Sequence, residues 1–259
     1  MILWVESQST EVIALIVFGL SYLTVALIVL GCILLGRSRV AADLKAVTPV
    51  MLTPLSVIVG LLIVFLANRV WANLDRAHMY VAQEAGAIHD AVWMSQALPV
   101  DVQGRVKASI AVYLDFVEHK DWPAMAVGQA DINLPVAGIT EATRVLLSFV
   151  PASESEKIAH QRVVAALEEI LAGRRNRILL SMAVISALQW IAIIVLELLL
   201  LLTATMVHID RPVTAAITCV LLSTAIACCL VLLMVHDRPF AAGGLTVEPT
   251  MLRSAMVGG

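Results

Sequence analysis

Within the run WIAIIVLELLLLL, Glu197 places a carboxylate in the middle of an apolar segment. A charge at the centre of a membrane helix costs about 2.5–3.5 kcal/mol on insertion scales, so an ionisable side chain there is by default a functional-site hypothesis. At about 100° per residue, Ser186, Trp190, Glu197 and His208 fall on one face of a helix, and Gln189 adds a further polar group near its start. Ser186, Gln189 and Glu197 are thus read as intramembrane polar residues. Two uses fit Glu197: a lining or proton-linked residue on an ion path, or a protonated acid that hydrogen-bonds a neighbouring helix and packs the spans together.

Other reactive side chains give less. His78 and His89 share a helix face with Asp75 beside them, but eleven residues of helix separate the two imidazoles by ~16 Å, too far for one metal ion. The four cysteines, Cys32, Cys219, Cys228 and Cys229, all lie in apolar runs and read as small buried hydrophobes. No zinc helix, phosphate-cradling loop or nucleophile motif is present. Convergence of Glu197, His208 and His236 on one site has no support in their spacing. The chain is therefore expected to be no enzyme, with no cofactor and no metal.

The elements that hold these residues follow from composition. The chain has 259 residues, 60% of them hydrophobic and 14% charged, with a mean hydropathy of +0.92. A soluble domain of this length lacks the interior positions to bury so much apolar surface, so the bilayer must be a solvent for much of it. A net charge of −3 gives no reason to expect nucleic acid. The first residues, MILWVESQST, lack a basic region ahead of the apolar run, so the first helix is expected to be a span and no cleaved signal.

Four apolar runs approach the ~20 residues needed to span a bilayer: Val12–Leu35, Val50–Ala67, Ile178–Val207 and Pro212–Val235. The predicted fold is all-α, an integral membrane protein with four transmembrane helices and an extramembrane helical bundle between the second and third. Residues 1–67 form the first transmembrane hairpin, with Pro49 and Pro54 near the start of its second span. Residues 68–177 form the extramembrane domain, 178–235 the second hairpin and 236–259 a short Pro/Gly-containing tail.

The apolar stripe of the second span does not end with it. Val70, Leu74, Ala77, Val81, Ala85, Ile88 and Val92 continue at helical spacing, so one helix is expected to run from the apolar segment into the polar one. A second stripe, Val102, Val106, Ile110, Tyr113 and Val117, marks a helix that stops near Trp122-Pro123. TEATRVLLSFV reads as a short helix. Ser153 and Glu156 have capping-box spacing and open a helix with no evident stop before Ile178. In the fourth span Thr214, Thr218, Ala225 and Cys229 suggest a face for close helix packing.

Arg69, Arg76, Arg162, Arg174, Arg175, Arg177, Arg238 and Arg253 would share one side of the membrane, against Arg37, Arg39, Lys45 and Arg211 on the other. The positive-inside rule then puts the termini and the central domain in the cytoplasm. The first hairpin taken alone votes the opposite way. On the second span Ile58, Leu62 and Phe65 lie at i, i+4 and i+7. They are lipid-facing or core residues in a single chain, and in a symmetric oligomer they would form rings that gate by dewetting.

Several stretches together are similar to the bestrophin-like family of bacterial and plant membrane proteins, named for distant similarity to bestrophin ion channels. They are FLANRVWANLDRAHMYVAQEAGAIHDA at the second-span junction, the basic lead-in GRRNRILLS, and the exit segment HDRPFAAGGLTVEP with Arg238, Pro239, Phe240, Val247 and Pro249. In the exit segment Gly243 and Gly244 are expected to permit a sharp turn. The resemblance implies a homo-oligomer, a pentamer in bestrophins, with cytoplasmic termini and a pore lined by the second span. Carried over by position, the neck is Ile58, Leu62 and Phe65, with Asn68 and Arg69 at the inner mouth. The tail has only Asp237 and Glu248 as acids, so calcium gating as in animal bestrophins is not expected. The neck's aromatic content is reduced to Phe65.

Two functions are carried forward. One is an oligomeric ion channel in the inner membrane of a bacterium, passing small inorganic ions, anions first, and partnered by the lipid bilayer and its own copies. The other is a non-conducting membrane interaction or sensory protein that acts through its helical extramembrane domain.

Overall fold

One helix, α2 (Ala41–Met94), runs unbroken for 54 residues. It appears in a computed structural model that describes residues 9–35, 41–241 and 247–257, without the side chains of residues 35, 41–49 and 257. Arg37, Arg39, Gly243, Gly244 and the side chain of Lys45 lie outside that description. The helix begins before both prolines, Pro49 and Pro54, which lie within it near the start of its apolar run. Each proline removes one i→i−4 hydrogen bond, and the turns on either side carry the helix across.

Among the described residues all regular structure is helical. Before α2 comes α1 (Thr10–Leu35). A 3₁₀ turn at Ser95–Ala97 then leads to α3 (Val100–Phe116), behind Pro99. The predicted stripe Val102, Val106, Ile110, Tyr113 and Val117 is buried along α3 and the π turn Val117–Asp121 that follows. Next come α4 (Trp122–Ala126), with Pro123 in its first turn, and α5 (Ala137–Ser148). Helix α6 (Glu154–Ser181) opens on Ser153, whose Oγ accepts from the Glu156 N–H at 3.2 Å. The Glu156 carboxylate accepts from the Ala152 N–H at 2.7 Å, one residue before the cap itself. Helices α7 (Ala187–Val207), α8 (Pro212–His236) and α9 (Thr250–Val257) complete the chain.

Helices α1, α2, α7 and α8 carry apolar runs long enough to cross a membrane. Residues 1–72 and 184–237 form one compact unit and residues 73–183 and 238–259 a second. In the first, Ile13, Val17, Val59, Leu66, Val70, Trp190, Ile193 and Leu230 belong to one apolar cluster. The second is built on Val81, Ile88, Ile110, Ile139, Val163 and Ile170.

The helix opened by Ser153 does stop. Its last turn tightens at Ser181, where Met182 and Ala183 donate to Leu179 O and Leu180 O. Ser186 is extended (φ −70°, ψ 152°) and caps α7 with a reciprocal capping box to Gln189. Ser186 competes for local backbone groups and disfavours helix continuation, while its side chain satisfies one of the orphan N–H groups of the new helix.

Candidate functional site

Side chains on α2 divide by face. Val59, Leu66 and Val70 are buried within the first unit, whereas Ile58 is 49%, Leu61 52% and Phe65 69% exposed. Asn68 and Arg69 are exposed as well. Steps of three and four place Ile58, Leu61, Phe65 and Asn68 on one line along the helix. Leu62 is partly buried against its own apolar cluster, at the edge of that line. Leu61 takes its place on the uncovered face, a residue the i, i+4, i+7 spacing passed over.

Arg69 has partners of its own. Its guanidinium donates to Gln189 Oε1 at 3.1 Å and to the Val184 carbonyl at 3.2 Å. Gln189 also accepts from the Ser186 N–H at 3.0 Å. Asp237, 3% exposed, accepts the Ile185 N–H on both carboxylate oxygens at 3.0 Å. Ser186 and Gln189 therefore form the N-terminal cap of α7, and Gln189 is also its contact to Arg69.

Glu197 lies on the buried face of α7 with Trp190, Ile193, Leu200 and Leu201. His208, expected on the same face, is the C-terminal cap. The close-packed face of α8 is Ala215, Cys219, Ser223 and Ala227, spaced by four. The predicted face of Thr214, Thr218, Ala225 and Cys229 is rotated off it, and none of those four is fully buried. A run of small residues all round a helix leaves the buried face unresolved by composition alone.

The second unit holds an ion-pair network that the sequence reading did not anticipate. Arg177, fully buried, donates to Glu84 from Nε at 3.0 Å and from Nη2 at 3.1 Å. Its guanidinium lies 4.7 Å from the Trp122 ring centroid, a cation–π distance. Tyr113 donates its hydroxyl to Glu84 at 2.5 Å. Burial, then the Glu84 carboxylate, pushes the Tyr113 phenol well above its ordinary range. Arg174 grips Asp121 with two hydrogen bonds of 2.7 and 3.0 Å and donates to the Asp131 carbonyl at 3.3 Å. Arg174 and Arg177, counted for orientation, are thus committed to buried carboxylates. Gly173 makes room for this, since a Cβ there would meet Glu84 Cβ at 2.9 Å.

The exit motif is held in the same unit. Val247 donates to the Pro239 carbonyl at 2.9 Å. Phe240, 3% exposed, meets Trp122 edge-on at 5.6 Å. The Trp122 indole N–H donates to the Val247 carbonyl at 3.2 Å. Pro249 precedes α9, and its carbonyl accepts from the Leu252 N–H at 3.0 Å. Arg253 pairs with Glu118 of the π turn.

Comparison with known proteins agrees with this architecture. The family described as "Bestrophin-like domain" matches residues 18–252. Two structures of a bacterial bestrophin homologue from Klebsiella pneumoniae, each carrying one point mutation, share the fold. One aligns at a TM-score of 0.67 and 13% identity, the other at 0.65 and 12%. Both alignments cover 94% of this chain and 96% of the other. No curated protein matches.

Proposed function

The chain belongs to the bestrophin-like domain family, and from that premise we propose that copies of it assemble around an axis, pentameric as in bestrophins, and conduct small anions through a pore lined by α2. The observation that carries this is the uncovered apolar line of Ile58, Leu61 and Phe65 on a helix whose opposite face is buried. Facing an axis, those side chains make a hydrophobic constriction that gates by dewetting. Leu62 flanks the same constriction. Asn68 follows it at the inner mouth with amide N–H donors that suit an anion, and Arg69 beside it, held by Gln189 and Val184, adds positive charge. Helix α2 has no carboxylate from Leu44 to Leu74, which favours the same sign of ion. The basic side chains of the central segment favour a cytoplasmic position for it and for both termini, in the inner membrane of a bacterium.

A second function has one observation in its favour. Gln83, Gly86, Asp90, Glu169 and Asn176 line a polar groove in the second unit, a surface suited to a protein partner of a non-conducting interaction module.

Cysteine cross-linking separates the two. In native membranes Phe65→Cys under mild oxidation is expected to give disulfide-linked dimers beyond the background set by the natural cysteines, because residues facing one axis approach their symmetry mates. Phe65→Cys that stays at the background level in native membranes would contradict the axial position of this face.

A further inference from the structure

The first unit buries a polar layer between two apolar clusters. On α1 the buried face reads Ile13, Val17, Ser21, Val25 at steps of four, and Ser21 is 7% exposed. On α7 it reads Ile193, Glu197, Leu201, with Glu197 at 8%. On α8 it reads Cys219, Ser223, Ala227, with Ser223 fully buried. On α1 and α8 the polar residue separates the two clusters, and on α7 Glu197 lies next to where they meet, at Leu200 and Leu201. Val17, Ile193 and Ala227 belong to one, and Val25, Leu201 and Cys219 to the other.

Cross-helix bonds fix the register. Tyr22 Oη lies 3.1 Å from Thr224 Oγ1, which sets the neighbouring Ser21 and Ser223 at one height. Cys219 Sγ donates to Leu201 O at 3.7 Å and lies 3.0 Å from Thr205 Oγ1. One turn further along the antiparallel pair, Glu197 is therefore level with Ser223. Glu197 is the central residue of the 21-residue α7, ~15 Å from either end.

The polar groups of this layer are short of partners. Ser223 Oγ is buried with no hydrogen-bond partner. A carboxylate enclosed among apolar side chains is costly unless paired or neutralised, and an orphaned buried hydroxyl calls for an explanation. Among the described residues no cation pairs with Glu197. The buried faces around it carry Ile13 to Val25 on α1, Val59 to Val70 on α2 and Ala215 to Leu230 on α8. Among the described residues, Cys219 one turn away and Cys32 beyond it are the other titratable side chains on those faces. Arg69 is engaged by Gln189 and Val184.

We propose that this layer is a proton-binding site, in which the Glu197 carboxyl takes up and releases one proton with the Ser223 and Ser21 hydroxyls as its hydrogen-bond partners. The proton neutralises the acid among apolar neighbours, and loss of the proton leaves a carboxylate that the two hydroxyls can solvate. Two hydroxyls and one carboxyl are few ligands for a metal cation but enough for a proton. The site belongs to α1, α7 and α8 and is independent of whether α2 lines a pore.

Dicyclohexylcarbodiimide, an apolar reagent that adds to protonated carboxyls, tests this on the full-length protein in lipid vesicles. The adduct is located by mass spectrometry of proteolytic peptides. Expected is labelling at Glu197 that falls several-fold from acid to alkaline buffer and disappears in Glu197→Gln. In Ser223→Ala the labelling is expected to persist to higher pH, because the carboxylate loses a donor. No adduct at Glu197 in wild-type protein, or labelling that does not change with pH, overturns the proposal. So does protection by sodium at fixed pH and ionic strength, which would assign the site to a metal cation. The wild-type profile decides even if a variant fails to insert.

Discussion

Arg177 and Glu84 have no exposed surface, so neither can be rescued by water if its partner is lost. Removing one member of a buried ion pair costs ~3–5 kcal/mol because the other is left uncompensated. Glu84→Gln is expected to lower the thermal unfolding midpoint of the helical signal in detergent markedly, and an unchanged midpoint would show that the network does not hold the second unit. Tyr113 gives the pH dependence. Its folded pKa lies above the unfolded one, so its contribution is complete below the ordinary tyrosine value of about 10 and is lost as pH rises through the folded value. Stability should fall in alkali, with a shallower fall in Tyr113→Phe. Equal slopes would deny the phenol that role. The network was partly legible in the sequence. Ala77, Val81, Glu84 and Ile88 step by four, three and four, which puts a carboxylate in a core position of α2. A stripe read through Ala85 passes over it. Pairing with Arg177, 93 positions along the chain, needed the fold.

At the level of elements, periodicity gave the helices and missed a boundary. Three of the four apolar runs lie within one helix each, whereas Ile178–Val207 straddles the break and its span is only Ala187–Val207. The stripe of α2 does continue past Ala67. The break between α6 and α7 was missed because Leu179 to Ile185 contains no glycine or proline. The stop is made by the Ser186 capping box and by Asp237 on the Ile185 N–H, a contact between distant residues. Removing a serine N-cap costs ~0.5–2 kcal/mol. Ser186→Ala is therefore expected to lower thermal stability modestly, whereas Ser186→Asp, which restores an acceptor, should recover most of it. If Ser186→Ala and Ser186→Asp were equally destabilised, capping would not be the reason for the break. The exit motif had clearer signals in Pro239 and Pro249, but its receiver, Trp122, could be found only from the contact itself.

For the whole molecule, hydropathy pointed to a multi-pass membrane protein, and family membership adds that it is bestrophin-like. The sign of the ion and the number of copies do not follow from either, because both depend on surfaces that one chain presents only in part. The uncovered line of Ile58, Leu61 and Phe65 gives the channel proposal its test. Purified protein in lipid vesicles loaded with a chloride-sensitive dye should carry chloride down its gradient, at a rate that rises with protein content. Replacing the constriction through Ile58→Ala and Phe65→Ala should raise that rate, because a less apolar ring is easier to wet. Vesicles holding correctly inserted protein that pass neither anions nor cations faster than empty ones, in wild type and in both variants, would contradict the channel account.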